Sequence, residues 1–131
     1  MRPSVKVAAL ATAALTAGGL GAVLAPAYAD GPERHGSCSG ATYDFEVERE
    51  TGGFEISFDL DHATPGSRWV VALRHDGKRY FHKTLTALDD DGDGEFDVDQ
   101  WRADSSGKDT FSVRFREAGT KNYCSAKIRM S

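Results

Sequence analysis

Apolar and polar residues alternate with a period of two along most of this chain. Tyr43, Phe45 and Val47 are interleaved with Asp44, Glu46 and Glu48, and Phe54, Ile56, Phe58 and Leu60 with Glu55, Ser57 and Asp59. The same alternation returns at Phe96 and Val98, at Phe111, Val113 and Phe115, and at Cys124, Ala126, Ile128 and Met130. Each run has one apolar and one polar face, which predicts half-buried antiparallel strands. Two more strands lie between these runs. Ser67 to His75 has Trp69, Val71 and Leu73 on one face and Val70 and Ala72 on the other, which predicts a central, more buried strand, and Arg79 to Thr86 follows as its partner.

Turn residues separate the runs. Gly52-Gly53 joins the first pair, Pro65-Gly66 precedes the tryptophan strand, and Asp76-Gly77 is a tight hairpin signal. Ser105 to Asp109 and Ala118 to Asn122 break the last three runs, and no segment carries a helical period. About seven short strands in a chain this small predict an all-β, antiparallel, immunoglobulin-like sandwich, with Trp69 filling the gap between sheets. A small closed barrel fits the same pattern.

The first 29 residues stand apart. Arg2 and Lys6 form a basic head, Val7 to Leu24 is apolar or small throughout, and Ala27-Tyr28-Ala29 has the small residues of a cleavage site. This predicts a secretory signal peptide over 1–29, a polar and flexible N-terminal arm over 30–37, a domain over 38–131, and a secreted, extracellular location. No second apolar stretch is long enough to span a membrane. The leader carries two of the 16 basic residues and none of the 20 acidic ones, leaving 14 against 20, a net charge of −6. An acidic domain of this size is not built for nucleic acid or for an anionic membrane surface. It is expected to be a monomer.

Cys38 and Cys124 are the two cysteines. In an exported chain an even pair predicts one disulfide, and two thiols are too few for a protein-only zinc or iron–sulfur site. The pair departs from the antibody pattern, in which the bridge joins the second and sixth strands. Here it would clamp the first and last.

Several of these features occur together: the leader, Cys38-Ser39-Gly40, an aromatic first hairpin, Arg68-Trp69 opening a strand that ends in Leu73-Arg74-His75-Asp76-Gly77, the Gly94 to Val98 run, and Tyr123-Cys124. In this layout the mature chain resembles the small secreted immunoglobulin-like β-sandwich proteins of actinobacteria. The resemblance implies fold and export, and no activity.

One segment suggests chemistry. Asp89 to Asp99 contains Asp89, Asp91 and Asp93 at alternate positions, then Gly94, Glu95 and Phe96. This matches the first half of an EF-hand calcium loop, with oxygen ligands at positions 1, 3 and 5, a glycine at 6 and a carbonyl at 7. Gln100 stands where the bidentate glutamate belongs, so Asp97 or Asp99 would complete the shell. The expectation is a weak Ca²⁺ site of Asp89, Asp91, Asp93, Glu95 and Asp97, with affinity of order 10⁻⁴–10⁻³ M. A solvated Asp/Gly turn is the plainer alternative, with Arg74, Lys78, Arg79 and Lys83 near enough in sequence to neutralise it.

Other constellations are weak. His35, His62, His75 and His82 have no metal-ligand spacing with a cysteine, though His75 and His82 flank one hairpin and could face each other across it. Glu46, Glu48, Glu55 and Asp59 offer carboxylates but lie on polar strand faces. No nucleophile elbow, zincin or phosphate-loop motif is present. The sequence therefore points away from an enzyme, to a secreted non-catalytic binding module for an extracellular protein, glycan or small molecule. A small-molecule carrier or enzyme inhibitor on the same scaffold is the alternative.

Overall fold

The computed structural model describes residues 32–131, and the leader expected over 1–29 lies outside them. Nine strands run through these residues: β1 Glu33–Cys38, β2 Ala41–Glu50, β3 Gly53–Ala63, β4 Arg68–His75, β5 Lys78–Thr86, β6 Leu88–Asp90, β7 Asp93–Ala103, β8 Asp109–Glu117 and β9 Cys124–Met130. They form two antiparallel sheets, ordered β1-β2-β3-β7-β6 and β5-β4-β8-β9. With β1 set aside, β2-β3-β7-β6 has the A-B-E-D order of an immunoglobulin sandwich, and β5-β4-β8-β9 is its C-F-G sheet with an added C′ strand. The sandwich expected from the alternation is therefore the architecture found, in place of the barrel.

The seven expected strands are all present. The two additional ones come from stretches whose composition disguised them. Glu33–Cys38 lies in what reads as a polar arm, yet it pairs along its whole length with β2, Glu33 opposite Glu46 and Cys38 opposite Ala41. As an edge strand it is exposed everywhere except at Cys38, so it shows no apolar stripe. Leu88–Asp90 is the first arm of the acidic segment and pairs with β7.

The inward positions of both sheets meet in an aromatic core. Phe45, Phe54, Phe58, Trp69, Phe111 and Phe115 are fully buried. Ring centroids of Phe58 and Phe115 lie 4.8 Å apart, those of Phe54 and Phe111 5.0 Å, and those of Trp69 and Phe115 6.3 Å. Each fully buried Phe contributes about 1.5–3 kcal/mol, and offset or edge contacts between rings add to this. Trp69 lies between the sheets as expected, its indole N–H donating to Ser67 Oγ at 3.0 Å.

Turn chemistry follows backbone need. Asp76 and Gly77 both have positive φ, 52° and 85°, the primed turn that matches strand twist. The first hairpin turns at Thr51-Gly52, one residue earlier than expected. Gly53 belongs to β3, where a Cβ would lie 2.5 Å from the Trp101 ring and 2.4 Å from the Arg102 carbonyl oxygen. Trp101 thus covers bare backbone.

Cys38 and Cys124 are bonded, with S–S 2.07 Å and Cα–Cα 6.2 Å. β1 and β9 are edge strands of different sheets. The bridge therefore fastens the two sheets together along one open side of the sandwich, and it joins the first and last strands as the sequence suggested.

Candidate functional site

The segment expected to bind calcium is a hairpin. Asp91 and Gly92 form its two-residue turn, with φ of 55° and 93°, and the Gly92 N–H donates to Asp89 Oδ1 at 2.9 Å. The sharp turn is thus made by Gly92. Gly94 lies in β7, where a Cβ would meet the carbonyl oxygens of Thr64 and Ala63 and the Cβ of Ala87 at 2.9–3.0 Å. Asp93, Glu95 and Asp97 then alternate along β7. Three groups of imidazoles and carboxylates among the described residues are close enough to share an ion: Glu33, His35 and Asp44; His75, Asp76 and Asp109; Glu48, Glu50 and Glu55. None contains a residue of the expected calcium loop.

Glu95 has found other company. β3 bulges between Leu60 and Ala63, so Asp61 and His62 together oppose Glu95. Hydrogen bonds to Asp61 and Asp90, partial burial and the charges of those neighbours push the Glu95 carboxyl up to about 7. Carboxyls this close cannot all ionise, so one keeps its proton near neutrality. His62, at φ 59°, lies 3.9 Å from Asp93. None of the four basic residues expected to offset the loop lies on its sheet, since all are on β4 or β5.

A second cluster is buried. His75 Nε2 lies 2.7 Å from Asp109 Oδ1, and both residues are almost fully enclosed. Ser105 Oγ donates to Asp109 Oδ1 at 2.5 Å, and Arg102 Nε donates to His75 Nδ1 at 3.4 Å. With Arg102 donating to Nδ1, Nε2 is the nitrogen left to donate its N–H to the Asp109 carboxylate. Burial pushes the Asp109 carboxyl up, but hydrogen bonds from Ser105 and His75 outweigh it and hold the group below the usual carboxylate range. Asp76 Oδ1 accepts from the Thr110 N–H at 2.8 Å, and the His75 ring stacks on Phe111 at 4.3 Å. Ser105 bonds to carboxylate rather than imidazole, and both imidazole nitrogens are taken. The cluster has the residue types of a catalytic triad without its geometry. It pins β7 to β4 at the hairpin end. His82 does not face His75, because it stands opposite Ala72 on the outer face.

The outward positions of the two sheets form the third feature. On the five-stranded sheet they are Glu33 of β1; Asp44, Glu46 and Glu48 of β2; Glu55, Asp59 and Asp61 of β3; and Asp93, Glu95, Asp97 and Asp99 of β7. More than half of the 20 acidic residues thus lie on one face, with no Lys or Arg among its outward strand positions. His35 stands at its edge, 2.7 Å from Asp44 Oδ1, and that bond and the Asp44 and Glu33 charges raise its pKa. On the four-stranded sheet the outward positions include Arg68 and Arg74 of β4, Arg79 of β5, Arg114 and Arg116 of β8, and Lys127 and Arg129 of β9, with no acidic residue. Tyr123 braces the centre of this face. The Arg114 guanidinium lies 3.8 Å from its ring centroid, and a hydrogen bond from Arg116 with both arginine charges holds its hydroxyl below the usual tyrosine value. Arg116 also donates to the Thr120 carbonyl at 3.1 Å.

Like charges stand directly opposite one another on both faces. Asp44, Asp59 and Asp97 align across β2, β3 and β7, and Arg74 opposes Arg79. Such pairs destabilise a sheet, and alternating the sign from strand to strand would have avoided them.

No family model matches the chain, and no curated protein sequence does. Among solved structures it is similar to the GAE domain of GGA2p from Saccharomyces cerevisiae, at 13% identity and a TM-score of 0.36, over 76% of this chain and 97% of that one.

Proposed function

We propose that the chain is exported after cleavage at Ala29 and acts as a non-catalytic binding module, presenting its arginine-rich sheet face to an anionic partner. One observation carries this reading: the fold keeps same-sign residues in register on each outer face, at a cost in stability. Six of the seven cations on that face are arginines. A guanidinium offers forked donors to carboxylate, sulfate or phosphate, and stacking on Tyr123 holds Arg114 in place before a partner arrives. The outer faces lie about 20 Å apart, given sheets about 10 Å apart with side chains on each. That exceeds twice the ~8 Å Debye length of physiological salt, so the acidic face does not cancel the basic one.

The module should be retained on a sulfated dextran matrix at low salt and elute as salt rises. Arg114→Glu with Arg129→Glu should flow through. Passage of the native protein straight through the matrix would overturn the reading. The mass of the exported chain, starting at Asp30, tests the export step.

The carrier alternative has less to support it, because a ligand between the sheets would need the space that Phe45, Phe58, Trp69 and Phe115 occupy.

A further inference from the structure

We propose that the anionic partner is a second copy of this chain: the basic face of one molecule seats on the acidic face of the next. This rests on the reading of the basic face as a binding surface, and it names the occupant.

Both halves of the contact are present on one molecule. Asp44, Asp59 and Asp97 form a carboxylate row across three strands, about 10 Å wide. Arg79, Arg74 and Lys127 lie along one row of the opposite sheet, with Ser112 between the last two. Four strands about 4.8 Å apart and about seven residues long give a face of about 20 by 25 Å. Two such faces bury about 1,000 Å² in total, the lower limit of a specific interface, so the contact is weak and reversible.

The contact joins two different surfaces. Each added copy leaves one acidic and one basic face free, so association proceeds as an open stack rather than closing as a dimer. The net charge of −6 does not prevent this contact, because at about 0.1 M salt the Debye length is about 10 Å. Opposed side chains a few ångströms apart then attract, while the net charges of two copies centred about 20 Å apart are largely screened.

The experiment is sedimentation equilibrium of the mature, disulfide-bonded protein. At about 0.1 M salt the average mass should rise with concentration past two copies, and at about 1 M salt, where the Debye length is about 3 Å, it should return to one. Arg114→Glu with Arg129→Glu sets two carboxylates among the five cations left on the basic face, and Glu48→Lys with Asp97→Lys brings cations onto the acidic face. Each variant alone should associate at least about tenfold more weakly, since opposed like charges are costly. An equimolar mixture of the two should recover association. If the first variant fails to melt cooperatively, Lys127→Glu with Arg129→Glu on edge strand β9 replaces it. A native protein that stays monomeric, forms a closed dimer, or associates regardless of salt overturns the proposal. If that monomer still binds sulfated dextran through Arg114 and Arg129, the binding-module reading stands and an anionic glycan replaces the second copy. If it binds neither, both readings fail.

Discussion

The two sheets do the same structural work and present opposite chemistry. Each buries alternate apolar residues against the other. The positions between them carry carboxylates on β2, β3 and β7 but arginines on β4, β8 and β9. Inside, the faces are interchangeable aromatic surfaces; outside, they are poles. A net charge of −6 describes neither pole. Charge is a property of a surface once the sheets hold the poles more than a Debye length apart.

Two fasteners hold these faces back to back, and removing them gives the largest effects. Replacing Cys38 and Cys124 by alanine should cost about 4–5 kcal/mol, because the bridge closes 86 residues. Denaturant unfolding would measure it. A loss below about 1 kcal/mol would mean that the aromatic core alone couples the sheets. At the hairpin end, Asp109→Ala strips the acceptor from His75 Nε2 and Ser105 Oγ and should cost about 3 kcal/mol. His75 and Ser105 would be left with unmatched donors, so Asp109→Asn should cost much less. The depressed Asp109 pKa has its own signature: its stabilisation is present above the unfolded carboxylate pKa and is lost as pH falls through the folded one.

Changes on the faces themselves should barely move stability. Arg114→Glu with Arg129→Glu should shift unfolding by no more than about 0.5 kcal/mol, while abolishing retention on sulfated dextran. Loss of folding together with binding would show that the basic face is structural.

Glu95→Gln sharpens the acidic side of the comparison. A carboxyl raised from 4.5 to about 7 favours folding only when protonated. Its ionisation therefore destabilises the fold progressively between those values, fully so above about 7. The amide should raise Tm at pH 8 and leave it unchanged near pH 4. Equal shifts at both pH values would show that crowding with Asp61 and Asp90 is not electrostatic.

The smallest effect concerns calcium. With Asp89 holding the turn and Glu95 bonded to Asp61 and Asp90, millimolar calcium should move Tm no more than magnesium at equal ionic strength. A calcium-specific rise that Asp91→Ala removes would show the loop to be a metal site.

Strand existence was legible because a period of two imposes one apolar face wherever one side is buried. Phe54, Ile56, Phe58 and Leu60 are fully buried as a set for that reason. β1 was hidden because an exposed edge strand needs no apolar stripe, only free backbone groups to pair with. The acidic segment admits two backbone readings for a related cause. Asp-x-Asp-x-Asp-Gly fits an open loop and a hairpin alike, and the position of the turn separates the two. The sequence offers two turn glycines, Gly92 and Gly94. Close packing of β7 against Ala63, Thr64 and Ala87 takes the second into the strand.

By itself the sequence determined the all-β class, the alternation that separates core from surface, and the cysteine pairing, because each depends on local period or on counting. It also determined that some strands carry acids and others arginines. Only the tertiary structure decided that the acid-bearing strands share one sheet and the arginine-bearing strands the other. That follows from strand order, in which neighbours such as β3 and β7 lie 30 or more residues apart in the chain. The same long-range pairing brought Asp61 onto Glu95, His75 onto Asp109, and the edges β1 and β9 within reach of one disulfide.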